Sequence, residues 1–182
     1  MDYSSFFILE TERLLFRQHI PADFDAFCAM EQDADFRRYV GGRPRTREEA
    51  ERRFQNGLKP VTDRLFMWAT VYKPEGKYKG RCGIYPHFNP DGFPMHGEAS
   101  LGLYIAPEYW GRGLATEAGR AFVQFGFNEL NIHKIVTMID TRNKASTHII
   151  KKLGFKLEET EQGEYRSFYY FALEMENYRK IK

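Results

Sequence analysis

Between residues 98 and 105 polar and apolar positions alternate without a break. Ala99, Leu101, Leu103 and Ile105 share one side of an extended chain, while Glu98, Ser100 and Tyr104 take the other. This period of two predicts a central strand with a polar face, and Gly102 within it marks a bulge or a close backbone approach. From 112 to 130 the period changes. Apolar residues now fall at 114, 115, 118, 121, 122 and 125, the spacing of a helix laid on a sheet, with Glu117, Arg120 and Gln124 on its outer face. Shorter runs predict strands at TERLLFRQ (11–18), LFMWATVY (65–72), GRCGIYPHF (80–88) and HKIVTMI (133–139), with FKLEET and YRSFYYFALEM as the last two.

Punctuation residues divide these runs. Pro21 and Asp23 suit a helix start before FDAFCAM, and Thr46 followed three residues later by Glu49 has the spacing of a capping box for a helix ending near Gly57. KPEGKYK reads as a hairpin turn, whereas HFNPDGFPMHG (87–97), dense in Pro, Gly, Asn and Asp, reads as a loop. NKASTHIIKKLGF (143–155) reads as a helix with Asn143 as N-cap, Lys151 and Lys152 at the negative end of its dipole and Gly154 just beyond it. The resulting order is strand, two helices, three strands, helix, strand, helix, two strands. It predicts an α+β (mixed α/β) fold, a largely antiparallel sheet packed by helices with one β-α-β unit near residues 100–140.

A length of 182 residues suits a single domain, 1–182, with a substantial core, and the 16 Phe and 11 Tyr enrich that core in aromatic rings. Cys28 and Cys82 lack the spacing of a disulfide framework or a zinc ribbon and read as buried thiols in a reducing compartment. The apolar run FFIL near the start has no basic region before it, so it does not read as a signal peptide, and no stretch approaches the ~20 apolar residues that cross a bilayer. A cytoplasmic protein without membrane contact is expected. The net charge of +2 is too small to argue for nucleic acid, yet residues 37–53 hold seven Arg against three Glu. That stretch is read either as a solvated helix face or as a basic rim that attracts an acidic partner.

The segment EYWGRGLATE (108–117) places two glycines just before the helical run. A strand that feeds through a glycine turn into a helix leaves several backbone N–H groups unpaired at the positive end of the helix dipole, which makes an anion site. Without a Cβ at Gly111 and Gly113, a phosphate can come close to the backbone. The spacing is neither that of the dinucleotide fingerprint nor that of the P-loop.

In context, three pieces in order, EASLGLYIAPEYWGRGLATEA, HKIVTMID and NKASTHIIKKLGF, make the chain resemble the GCN5-related N-acetyltransferase (GNAT) superfamily, in particular the branch of the ribosomal-protein N-terminal acetyltransferases. The family's turn signature places Gln or Arg first; here Trp110 stands there, with Gly113 and Ala115 in the later positions. The resemblance implies a mixed, largely antiparallel sheet of six to seven strands flanked by about four helices. It implies acetyl-CoA as co-substrate, with its pyrophosphate on the N–H groups of Gly111, Arg112, Gly113, Leu114, Ala115 and Thr116. The pantetheine would pair with the backbone around Leu103, Tyr104 and Ile105, where the strand splays from its neighbour, and with Asn143.

Acetyl transfer to an amine needs a base to free the amine of its proton, polarisation of the carbonyl and a proton for the departing thiolate. Glu98, on the polar face of the central strand and at an acidic position of the resembling family, is the candidate base, with His87 and His96 as substitutes. Read without the family, it is an ordinary strand-start Glu. Ser146, three residues after Asn143, is the candidate acid, with Tyr104 or a C-terminal tyrosine as rivals, and a backbone N–H would supply the oxyanion contact. Both Asn143 and Ser146 also read simply as helix-capping residues. The five His show no ligand spacing, so no metal is expected. In the family, relatives often carry Asp after the Arg where this chain reads Arg166-Ser167, so a contact there should differ. The favoured reading is an N-acetyltransferase for a protein or peptide α-amino group, as a monomer or homodimer. A small-amine acetyltransferase, a non-catalytic acyl-CoA-binding module and an RNA-binding protein are the competing readings.

Overall fold

The computed structural model describes residues 7–58 and 64–180. Its strands are β1 (Phe7–Glu10), β2 (Leu14–Arg17), β3 (Phe66–Tyr72), β4 (Lys77–Phe88), β5 (Pro94–Ile105), β6 (Lys134–Asp140), β7 (Lys156–Glu161) and β8 (Phe168–Glu174). The helices are α1 (Phe24–Gln32), α2 (Ala34–Tyr39), α3 (Arg47–Gly57), α4 (Leu114–Glu129), α5 (Lys144–Lys152) and α6 (Met175–Lys180). One eight-stranded sheet runs in the order β1-β2-β3-β4-β5-β6-β8-β7. Every pairing is antiparallel except β5 with β6, the pair joined by α4.

Consecutive residues of a strand point to opposite faces, and Trp68 and Ala69 of β3 accordingly enter different cores. Trp68 joins Leu14, Phe16, Cys82, Ile84, Ala99, Leu101 and Ile105 in the large core covered by α4, where Phe16 meets Phe122 edge-on at 4.7 Å. Ala69 joins Phe27, Cys28, Ala50, Phe54 and Tyr78 in a smaller core under α1 and α3. Leu114, Ala118, Phe122 and Phe125 of α4 are all buried, as the helical period requires. Burying each of the larger of these side chains stabilises the fold by about 1.5–3 kcal/mol. Cys28 and Cys82 are buried and unbonded.

Local signals hold at several ends. Thr46 accepts from the Glu49 N–H while Glu49 reaches back to Thr46, and the Asn143 side chain accepts from the Ser146 N–H at 3.0 Å. Three elements go beyond the sequence reading. Instead of one loop over 87–97, β4 continues to Phe88 and β5 restarts at Pro94, so only Asn89–Phe93 turns. Pairing with neighbouring strands overrides the local Pro and Gly content there, and Pro94 sits where a strand tolerates proline, at its first residue. FILE forms an edge strand, and α2 is nucleated by Asp33, whose side chain accepts from the Phe36 N–H at 2.7 Å. The sheet therefore has one strand beyond the expected six to seven, and short α2 and α6 bring the α-helices to six among the described residues.

Candidate active site

The parallel pairing of β5 with β6 covers only Glu98–Ser100 against Lys134–Val136, although β5 stays paired to β4 as far as Ile105. The two central strands therefore part. The Ala106 N–H bonds the Lys79 carbonyl on the β4 side, so the odd-numbered residues of β5 direct their backbone groups towards β6. Two of those groups are capped by side chains: the Leu101 carbonyl accepts from Thr137 Oγ1 at 3.1 Å, and the Ile105 carbonyl accepts from the Trp110 indole at 2.7 Å. Between the caps, the Leu103 N–H and C=O and the Ile105 N–H face the gap with no strand partner. Unpaired backbone groups in a cleft call for an extended ligand with amides of its own.

Beyond β5 a short 3-10 turn (Pro107–Tyr109) leads to Gly111 and Gly113, with φ of 74° and 79°, where a side chain is strained. A Cβ at Gly111 would meet nothing within 4 Å, so the backbone there is open to a ligand. The first helical bond of α4 is from the Glu117 N–H to the Gly113 carbonyl. Among the described residues, the N–H groups from Gly111 to Thr116 have no acceptor, and together with the helix dipole they form an anion cradle. These two features suit the two halves of acetyl-CoA, amides along β5 and pyrophosphate at the turn.

Glu117 holds the cradle in place, rather than lying on a solvated outer face. Its carboxylate accepts from Thr11 Oγ1 at 2.6 Å, from the Arg13 N–H at 2.9 Å and from Arg13 Nε at 2.7 Å, while Arg13 Nη1 donates to the Arg112 carbonyl at 3.0 Å. Burial opposes the charge on Glu117, but the bonds from Thr11 and Arg13 outweigh it and keep its carboxyl below the usual range. A groove of about 620 Å³ follows the flank of α4 from Gly113 to Glu129, and one end of it is lined by the cradle residues Gly113 and Thr116.

Glu98 is half-buried on the last paired stretch before the gap, in register with Lys134. Burial opposes the charge on Lys134, yet Glu158, Glu174 and Glu98 together hold its amine above its ordinary value. On the same face of β5, Ser100 Oγ lies 3.1 Å from His87 Nδ1. Ser146 is half-buried in the first turn of α5, which begins just past the end of β6, and Asn143 caps that turn. His96 is exposed on the β4–β5 hairpin. Tyr170 is tied to Glu161 at 2.6 Å, a bond that helps push its hydroxyl up to about 12. Arg166 donates to buried Asp140 at 2.8 Å and to the Tyr39 carbonyl at 3.0 Å, fastening the segment after α2 to the end of β6.

Across the sheet from α4, a cavity of about 400 Å³ lies between α1, α3 and the β3–β5 surface, lined in part by His19, Arg53, Arg81, Tyr85 and Tyr104. Glu31, fully buried, accepts from Arg81 at 2.5 Å, from Arg45 at 2.8 Å and from Arg37 at 3.3 Å. Two arginines of the rich stretch, Arg37 and Arg45, are thus turned towards Glu31. Arg43 pairs with Glu49, Arg47 with Asp25 and Arg38 with Asp35, so most of the expected basic rim is neutralised at home. Arg81 and Glu31 gave no sequence signal because they lie 50 residues apart on elements that meet only in the fold.

Residues 13–156 match the acetyltransferase (GNAT) domain family. The chain belongs to the GNAT acetyltransferase family. Among curated relatives, YkkB of Bacillus subtilis is 35% identical over 94 residues, 52% of each chain, so the match spans about half of that protein. The spermidine N(1)-acetyltransferase of Escherichia coli K12 is 41% identical over 64 residues, 35% of this chain and 34% of that one. A GNAT-family acetyltransferase structure from Bacillus anthracis superposes with a TM-score of 0.78 at 24% identity, covering 93% of this chain and 99% of that one, which shows the same fold. This family uses acetyl-CoA, and the open β5 edge and the α4 cradle suit that donor. No helix among the described residues is long and apolar enough to cross a membrane, and no group of three or more His, Cys, Asp or Glu is placed to hold a metal ion.

Proposed function

We propose that the chain is a single N-acetyltransferase domain that moves the acetyl group of acetyl-CoA to a primary amine, with a protein or peptide N-terminal α-amino group as the favoured acceptor. The observation that carries this reading is the parting of β5 from β6 directly upstream of the α4 cradle. Pantetheine amides would take the free groups of Leu103 and Ile105, Asn143 would add a side-chain contact, and the pyrophosphate would rest on the N–H groups from Gly111 to Thr116. The thioester carbonyl would then lie in the gap near Leu101 to Leu103, with a β5 N–H facing its oxygen.

Glu98 removes one proton from the ammonium, the amine nitrogen bonds to the acetyl carbon, the carbon–sulfur bond breaks as Ser146 gives its proton to the sulfur, and the second nitrogen proton passes through solvent to restore the Ser146 hydroxyl. Proximity and charge stabilisation carry most of the rate, because no covalent enzyme intermediate is needed. A small amine is the second reading, supported by the 64-residue match to a spermidine acetyltransferase and by the modest size of the 400 Å³ cavity. Arg53 and Arg81 in that cavity disfavour a polycation. A thiol-release assay with acetyl-CoA against acidic N-terminal peptides, spermidine, an aminoglycoside and amino acids, with mass spectrometry of each product, tests the proposal. Acetylated peptide supports it, acetylated spermidine selects the second reading, and acetyl-CoA binding without any product points to a non-catalytic acyl-CoA-binding module.

A further inference from the structure

The lining of the cavity over β3–β5 carries two arginines, Arg53 and Arg81, and no carboxylate. Arg37, Arg45 and Arg81 share the single carboxylate of Glu31, and no carboxylate among the described residues lies within ion-pair distance of Arg53. Arg81 is 4% exposed, and its Nη1 has no hydrogen-bond partner. The Tyr78 hydroxyl faces Arg81 and the His19 ring lies by the Met67 backbone, yet neither the hydroxyl nor His19 Nδ1 makes a hydrogen bond of full geometry. Leaving a buried guanidinium donor unpaired costs more than leaving a neutral one, so a wall of this kind is stabilised by an incoming anion more than by water.

Arg81 also stacks over the Tyr104 ring at 5.0 Å, and Tyr104 lies on the splayed end of β5. An anion bound at Arg81 and Arg53 would therefore be attached to a molecule that reaches the gap where the acetyl group is expected. We infer that the cavity is an acceptor-recognition site for a carboxylate: the amine that is acetylated carries an acidic group, held by Arg81 Nη1 and Arg53, with the Tyr78 hydroxyl and His19 beside it. This rests on the acetyl-transfer reading above and narrows its acceptor to an acidic amine, either a free acidic amino acid or a peptide that begins with one.

Titration calorimetry at one ionic strength, with and without CoA, tests the site without turnover. The probes are glutarate and pentane-1,5-diamine, two five-carbon chains of opposite charge. Glutarate is expected to bind and the diamine to give no heat. Arg53→Gln, a change at the exposed mouth, should weaken glutarate by about tenfold, the loss expected of one charge-assisted contact. Arg81→Met should abolish it, checked for folding by circular dichroism. Preference for the diamine, absence of glutarate binding, or unchanged affinity in Arg53→Gln would overturn the inference. Free glutamate and Glu-Ala-Ala-amide then separate the two sources: tighter binding by the first assigns the amino acid, by the second the peptide, and binding by neither overturns the site. Failed acetyl transfer with intact glutarate binding would sink the reaction proposal and leave the anion site standing.

Discussion

The proposed donor side and the proposed acceptor side of this molecule are built from different materials. On the donor side the binding groups are backbone N–H and C=O, exposed because β5 leaves β6 and because two left-handed glycines open the start of α4. On the acceptor side they are side chains, Arg53 and Arg81 in the cavity lining, with Arg37 and Arg45 joined to Arg81 through Glu31. Backbone recognition reads what acyl-CoA ligands share, whereas a side-chain cavity can change with little effect on the strands. The difference teaches that one fold can keep its donor and exchange its acceptor.

The sharpest test of the acceptor side removes the carboxylate that Arg81 shares with Arg37 and Arg45. Glu31→Ala leaves Arg37, Arg45 and Arg81 facing one another and should cost about 3–5 kcal/mol in urea denaturation; a loss below 1 kcal/mol would mean the network is wet and loosely held. On the donor side, Gly113→Asp puts a side chain at φ 79° and a negative charge in the anion cradle. Acetyl-CoA affinity should fall by about a hundredfold or more in calorimetry with the circular dichroism unchanged, and normal affinity would remove the turn from the site.

Between the two sides, Glu98→Gln should lower turnover by about a hundredfold while acetyl-CoA affinity is kept, as expected for loss of a general base. An unchanged rate would take Glu98 out of the chemistry.

His19 adds a pH test of the cavity wall. Burial, partly offset by Asp23 and reinforced by Arg81, depresses it from 6.5 to about 4. Between those values the unfolded chain binds a proton that the folded chain refuses, so this stability is full above about pH 6.5 and is lost as pH falls towards 4. The loss is on the order of 2–3 kcal/mol, and His19→Gln should flatten that part of the stability profile. The smallest effect belongs to Trp110→Phe, which deletes the indole donor to the Ile105 carbonyl. A loss of about three- to tenfold in acetyl-CoA affinity corresponds to one neutral hydrogen bond.

Much of the β5–α4 region was legible before the fold was known, because its signals are local. The alternation over 98–105 marked β5, the helical period marked α4, and WGRGLA marked a turn that only glycine accommodates comfortably. Asn143 likewise declared its cap three residues ahead of Ser146. The same local reading mistook the β4–β5 hairpin for a loop, since Pro and Gly content carries no record of the neighbouring strands that pair there. It also placed Glu117 in solvent, because helical period assigns a face but not the Arg13 and Thr11 that come to cover it.

The sequence by itself determined the order of the longer elements, the central strand and the glycine turn, each set by interactions within a few residues. Tertiary structure alone decided where the arginines of 37–53 point. Their charge suggested a rim, yet Glu31 draws Arg37 and Arg45 inward. A buried charge is placed by the partners it meets across the fold, and those partners lie tens of residues away.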